Sequence, residues 1–188
     1  MPLTAKLRST GKDVCILDYE NPRQELAAED LVCPHCDGPM IIRHGLIRAP
    51  HFAHLSRCPY EGWHEPETPE HRAFKRAVRE YLLRDPFWKE AQVALEVRIP
   101  QAHRIADVFV TFPTGWRVAH ECQVSPITQE ELIARSRAYR EAGIDVMWWF
   151  ESGRLEQSRK WLPDWLLRFQ GVILEATIHL EAGEEERL

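Results

Sequence analysis

Two periods of hydrophobic and polar alternation run through this chain, one of two residues for strands and one of 3.6 for helices, and they place most of its elements. Near the front, Val14 to Tyr19 reads as a strand, and Met40 to Ile42 with Leu46 to Ile47 bracket His44-Gly45 as a tight hairpin. The stretch PYEGWHEPETPEH holds neither period and reads as a linker. Thr68-Pro69 then supplies an N-cap and a proline at the first helical position, and Phe74, Val78, Tyr81 and Leu82 recur at helical spacing until Pro86 stops the helix. Val93, Leu95, Val97 and Ile99 alternate with polar or small residues, as do the runs IADVFVTF and WRVAHECQV on either side of Pro113-Thr114-Gly115. These three runs predict a meander of strands. Thr128 and Glu131 make a capping box for a helix whose inner face carries Leu132, Ile133, Ser136 and Tyr139 and which Gly143 closes. Ile144 to Phe150 reads as a buried strand, and LPDWLLRF and VILEATIHL add a short helix and an edge strand. The predicted class is α/β, with a core in the order α-βββ-α-β behind a small front module.

Size and composition fit that division. A chain of 188 residues and 22.0 kDa buries one core with an annex. The expected organisation is a front module over residues 1–62, a core over 63–152 and an extension over 153–188 that packs on the core. Hydrophobic residues at 44% and charged residues at 28% exclude disorder, collagen and coiled coil. The opening MPLTAKLRSTGKD lacks the apolar stretch of a signal peptide, and no run of roughly 18 apolar residues follows, so a cytoplasmic protein without membrane contact is expected. The net charge of -5 gives no overall attraction to nucleic acid. The charge is uneven, however: Arg43, Arg48 and Arg57 lie among His44, His51 and His54 with no acid between, whereas residues 181 to 186 hold four glutamates.

Three of the five cysteines, Cys33, Cys36 and Cys58, crowd into one histidine-rich stretch, which in a reducing compartment favours a metal over disulfides. Cys33-Pro-His-Cys36 is a CxxC knuckle, and His51-Phe-Ala-His54 and Cys58 follow it. Each short spacing lets two ligands converge on one tetrahedral Zn²⁺ at about 2.0 to 2.3 Å. Cys33 and Cys36 form one half of the site; His54 and Cys58 are favoured for the other, with His51 as the substitute and His35 as a more distant option. With four protein ligands the zinc would be structural and would fold a segment too small to hold itself together. A hydrolytic zinc on His51 and His54 lacks an accompanying HExxH-type base. Cys15 and Cys122 read as buried apolar side chains.

A second constellation depends on strand geometry. Glu121 and Gln123 project from one face of their strand. If Pro113-Thr114-Gly115 is a three-residue hairpin loop with Phe112 opposite Trp116, Asp107 falls opposite Glu121, about 5 Å away. Two like charges there destabilise a plain sheet, so the pair calls for a cation, and hard oxygen ligands suit Mg²⁺. Glu70, one helical turn before Phe74, is a third candidate acid, with Glu67 as its rival. On the same helix, His71, Lys75 and Arg79 make a polar stripe that can meet phosphates or solvent. Ser125 can share the face of Gln123 or simply end the strand. Trp148, Trp149, Trp161 and Trp165 fit a core better than a stacking surface for bases.

The order of elements, with Asp107 on the second strand and Glu121-x-Gln123 on the third, resembles the common core of PD-(D/E)XK restriction-endonuclease-like nucleases over residues 67 to 150. That resemblance implies that the acids hold Mg²⁺, which polarises a scissile phosphate and activates water. Gln123 stands where those enzymes carry a lysine, and Lys75 or Arg104 is the substitute for its charge. The ordered motifs CPHC, PHFAH, ETPEHRAFK, RIADV, ECQVSPIT and RSRAYREAGIDVMWW resemble the CoiA-like competence proteins. This likeness implies a zinc-ribbon-like N-terminal module, a nuclease-like domain and DNA processing in natural competence and recombination. It implies DNA partners, single-stranded or as recombination intermediates, and recombination proteins. Three activities follow as expectations: a Mg²⁺-dependent deoxyribonuclease using Asp107, Glu121, Glu70, Gln123 and Lys75; a DNA-binding accessory that has lost catalysis; and a zinc-ribbon adaptor for another protein.

Overall fold

The computed structural model describes residues 2–45, 48–59, 68–152, 154 and 172–177. Glu67, Trp161, Trp165, the LPDWLLRF segment, most of the expected linker and the four glutamates at 181 to 186 lie outside them. The chain divides into two compact units, with the boundary after Pro69.

In the first unit, strand β1 (Thr4–Leu7) pairs antiparallel with β2 (Asp13–Cys15) on one side. After the single helical turn α1 (Pro22–Glu25), β3 (Leu31–Val32) pairs with its other side. The expected strand from Val14 to Tyr19 ends early. Thr4, the first residue of β1, pairs with Cys15, so the chain beyond has no ladder to join and turns into a 3-10 helix over Ile16–Asp18. Cys15, at that end, is only half-buried. A hairpin of β4 (Met40–Gly45) and β5 (Arg48–His54) follows. It extends through His44-Gly45 instead of turning there, because Gly45 pairs with Arg48; Leu46 and Ile47 lie outside the described residues.

The second unit opens with helix α2 (Pro69–Arg84) and continues through β6 (Gln92–Ile99), β7 (Arg104–Thr111), β8 (Arg117–Gln123), α3 (Gln129–Glu141), β9 (Asp145–Glu151) and β10 (Val172–Ala176). The element order α-βββ-α-β is present, with β10 added at the edge. One five-stranded sheet runs β10-β9-β8-β7-β6, in which β6, β7 and β8 form an antiparallel meander and β8, β9 and β10 are parallel. Phe112 donates its N–H to the Trp116 carbonyl at 2.8 Å, and Gly115 takes φ 86, so the three-residue loop forms as expected.

Alternation along β9 sends Trp148 and Phe150 to one face, where they meet Leu132 of α3, and Trp149 to the other, where Tyr81 of α2 meets it edge-on at 5.6 Å. The two helices therefore cover opposite faces. Thr128 caps α3 by accepting from the Glu131 N–H at 3.1 Å. The buried stripe of α2 is Phe74, Val78 and Leu82; Tyr81 stands 50% exposed at its rim, contrary to the periodicity reading, because it lies about 100° around the helix from Leu82. Among the described residues no helix is long and apolar enough to cross a membrane.

Trp148 and Trp149 are core residues. Trp149 donates its indole N–H to His120 Nδ1 at 3.0 Å, and Trp88 meets the His120 ring edge-on at 5.2 Å. Burial pushes the His120 imidazole down to about 4, so it is neutral in the fold. A depressed folded value means that its contribution to stability is present above the unfolded value near 6.5 and is lost as pH falls towards 4. Stability should fall over that window by on the order of 3 kcal/mol at most. Urea titrations at stepped pH should show this limb in the wild type and a flatter one in His120→Gln.

Candidate metal centre and candidate active site

The metal centre is built on the knuckle between β3 and β4. The Cys33 N–H bonds to the Gly38 carbonyl at 2.8 Å, the Asp37 N–H returns to the Cys33 carbonyl at 3.0 Å, and Asp37 takes φ 55 to close the turn. A methyl at Gly38 would sit 3.2 Å from Cys36 Sγ, so glycine leaves room for the thiol. The hairpin then carries His54 back to the knuckle. The ligand atoms of Cys33, Cys36, His54 and Cys58 all lie within 4.8 Å of one another, and Cys36 Sγ is 3.7 Å from His54 Nε2. Ligand separations of about 3.5 to 3.8 Å are what a tetrahedral ion with Zn–S and Zn–N bonds near 2.3 and 2.0 Å requires.

His51 does not join this group. Three positions separate it from His54 on β5, so the two side chains face opposite ways; His51 is fully buried with Nδ1 3.0 Å from the Ala49 carbonyl oxygen. His35 contributes its backbone N–H to Cys33 Sγ at 3.4 Å, not its ring to the cluster. Burial pushes the Cys33 thiol up to about 12, so an arriving metal must displace a tightly held proton.

The active-site candidates lie in the second unit. The β7–β8 ladder pairs Val108 with His120 and Thr111 with Arg117, which sets Asp107 opposite Glu121 in register. Their partners nevertheless come from opposite helices. Glu121 Oε1 accepts from the Tyr139 hydroxyl at 2.5 Å, and Oε2 pairs with Arg135, whose guanidinium also lies over the Trp148 ring at 4.9 Å; both donors belong to α3. Asp107 Oδ2 lies 3.1 Å from His71 Nε2 of α2 and accepts from the Cys122 N–H at 2.8 Å.

The two carboxylates thus do not share a plain sheet face as the alternation predicts, because the ladders break at Asp107. Leu95↔Val108 and Val97↔Ala106 both pair in β6–β7, whereas Glu96↔Asp107 does not, and Glu96 carries φ 55. A non-glycine residue in that region costs on the order of 1 to 2 kcal/mol. The Glu96 carboxylate pairs with Lys75 Nζ at 2.6 Å, and both residues are buried. Lys75 and His71 lie one turn apart on α2. Glu70, beside His71, is half-buried and contacts neither acid, so it is His71 and Lys75 that α2 brings to the site. Arg104 opens β7 and is half-buried, as is Arg79 on α2.

Burial alone would raise the Asp107 carboxyl, but the adjacent His71, the Lys75 ammonium and the Cys122 N–H outweigh it and hold the group well below the usual carboxylate range. Glu121 is raised, by burial first and also by the Asp107 charge, with Arg135 opposing. Tyr139 is raised well above its usual value by burial and by Glu121. Tyr139→Phe removes the donor from Glu121 Oε1 and should cost about 1 to 3 kcal/mol, read as a lower denaturation midpoint at unchanged slope. Gln123 donates Nε2 to the Ser125 carbonyl at 2.7 Å and to its hydroxyl at 3.1 Å, which leaves the amide oxygen as the acceptor. Sequence reasoning missed Glu96, Arg135 and Tyr139 as members of this cluster. Arg135 and Tyr139 carried a signal, since Tyr139 is an inner-face position and Arg135 lies one helical turn before it. Glu96 sat at a polar position of a regular alternation and gave none.

Among the described residues, a mixed sheet covered by a helix on each face, with buried acids and bases at a ladder break, together with a separate Cys₃His cluster in the first unit, defines a two-unit α/β protein with a candidate metal centre. The model for the competence protein CoiA nuclease-like domain matches residues 67–170, and that for the competence protein CoiA N-terminal domain matches residues 18–61. The chain belongs to the CoiA family. It is similar to the competence protein CoiA of Bacillus subtilis (strain 168), 27% identical over 135 residues. That alignment covers 72% of this chain and 35% of the relative, so the chain spans about a third of the relative's length. A solved structure of an EndoMS-dsDNA2 complex is 13% identical and covers 76% of this chain and 67% of its own, with a TM-score of 0.40, too low to place the fold.

Proposed function

We propose that the chain is a metal-dependent DNA-processing phosphodiesterase of the PD-(D/E)XK type, acting in natural competence and recombination, with a separate structural Zn²⁺. The reading rests above all on the opposite perturbation of two neighbouring buried acids, Asp107 held ionised and Glu121 pushed towards its neutral form. Packing alone has no need of such a pair, and separated values of this kind accompany catalytic acids and bases.

A hard cation shared by these residues would sit at the ladder break, since away from it the two acids turn to opposite helices. Both contacts of Asp107 fall on Oδ2, which leaves Oδ1 for a ligand, and Gln123 presents its amide oxygen. Glu121 keeps further lone pairs beyond the two that Tyr139 and Arg135 engage. A divalent ion there would polarise the phosphate and activate water. Gln123 would accept a hydrogen bond from that water and orient it, and Lys75 would stabilise the charge that develops on the phosphate oxygens. His71 holds Asp107 in place from α2. At the other site Cys33, Cys36, His54 and Cys58 would fill all four positions on zinc, a closed set that excludes substrate.

One observation favours a second reading, a DNA-binding accessory without catalysis: both oxygens of Glu121 are already engaged by α3. Incubation with labelled single- and double-stranded DNA, in Mg²⁺, Mn²⁺ or chelator, separates the two. Metal-dependent cleavage supports the phosphodiesterase; retarded but intact DNA in every lane supports the accessory.

A further inference from the structure

Gln123 cannot carry the positive charge that phosphoryl chemistry requires, and its amide nitrogen is held by Ser125. Of the cations near the acids, Arg135 is committed to Glu121 and to the Trp148 ring. Lys75 is a second fixed charge among the described residues. It is 1% exposed, one turn after His71, and its charge acts on Asp107.

We propose that Glu96 is a positioning residue that holds the Lys75 ammonium beside Asp107 and so supplies this active site with the charge its third strand lacks. The inference rests on the phosphodiesterase reading. Its physical basis is the break in β6. The register is unchanged on either side of Glu96, so no residue has been inserted; the one position of β6 left out of the ladder is the one opposite Asp107, and it holds a glutamate at φ 55 where glycine or asparagine would be unstrained. That conformation delivers the carboxylate to Lys75 at 2.6 Å, at 7% exposure. A buried ion pair is no better for stability than apolar residues of the same volume, so neither the strain nor the burial follows from packing. The ammonium that Glu96 pairs with also acts by its charge on Asp107 across the break. Without Glu96 the Lys75 ammonium would no longer be held in one place: it would exchange with solvent and intermittently occupy Asp107, where it would compete with the cation.

The test compares wild type, Glu96→Gln, Lys75→Met and the double variant in three ways: steady-state cleavage of DNA with Mn²⁺, calorimetric Mn²⁺ titration, and the side-chain ammonium signal of Lys75 in ¹⁵N-edited spectra, assigned by its absence in Lys75→Met. In wild type the buried ammonium should exchange slowly enough to be seen. Glu96→Gln should lose it, with kcat down at least thirtyfold, KM within threefold, and the double variant no slower than Lys75→Met. Mn²⁺ affinity should weaken in Glu96→Gln and recover in the double variant, where no ammonium competes. If Glu96→Gln does not fold, Glu96→Asp carries the test and should show a partial loss of kcat with a weakened ammonium signal. An ammonium signal that persists in Glu96→Gln, or a kcat within threefold of wild type while Lys75→Met is inactive, overturns the proposal. If wild type cleaves no DNA with either metal, the phosphodiesterase reading fails, and the placement of Lys75 by Glu96 is judged on the ammonium signal alone.

Discussion

Asp107→Asn should lower metal-dependent DNA cleavage by about 10³-fold or more, equivalent to roughly 4 kcal/mol of transition-state stabilisation. Asparagine keeps the volume and can still accept from the Cys122 N–H, so the local backbone is preserved. What it removes is the negative charge that Oδ1 would offer to a cation and that balances His71 and Lys75. The loss should therefore appear in metal affinity by calorimetry as well as in rate. Far-UV dichroism at neutral pH checks that the sheet survives. Asp107 also lends stability to the fold: its depressed folded value means that this contribution is present above the ordinary carboxylate range and fades as pH falls. The variant should accordingly be less stable at neutral pH and lose less on acidification.

Loss of the zinc proposed for the Cys₃His cluster should unfold the first unit. Its described strands form a short three-stranded sheet and one two-stranded hairpin, and a hairpin of that kind is marginal in water by itself. Structural zinc in finger peptides supplies apparent free energies of about 10 to 16 kcal/mol at pH 7, far more than such a unit can replace. Cys36→Ser or a strong chelator should collapse the amide dispersion of residues in β1 to β5 while the melting of the second unit persists. His51→Ala should leave the zinc content unchanged, because His51 faces away from the cluster. Elemental analysis finding well under one zinc per chain in metal-replete protein would remove this part of the mechanism.

Much of the second unit was legible in the sequence because its local signals are strong. Thr68-Pro69, the Thr128 cap, Gly143 and the Pro113-Thr114-Gly115 loop each specify an element boundary through backbone chemistry, and the loop length fixed the register that sets Asp107 opposite Glu121. The cysteine knuckle was equally plain. His51 against His54 was not, since the choice depends on knowing that β5 runs through both. The ladder break was invisible for a related reason: Leu95-Glu96-Val97 alternates like any half-exposed strand, and only tertiary contact with Lys75 turns Glu96 inward. The same break redirects Asp107 towards α2, which strict alternation could not anticipate. Val14 to Tyr19 was too long a strand because periodicity says nothing about whether a partner exists.

Hydrolysis itself is the point on which the functional reading turns. A labelled oligonucleotide incubated with the purified protein in ¹⁸O-water and Mn²⁺ should yield fragments whose new terminal phosphate carries one ¹⁸O by mass spectrometry, and none with chelator. Intact oligonucleotide retained by the protein under every metal condition would contradict it.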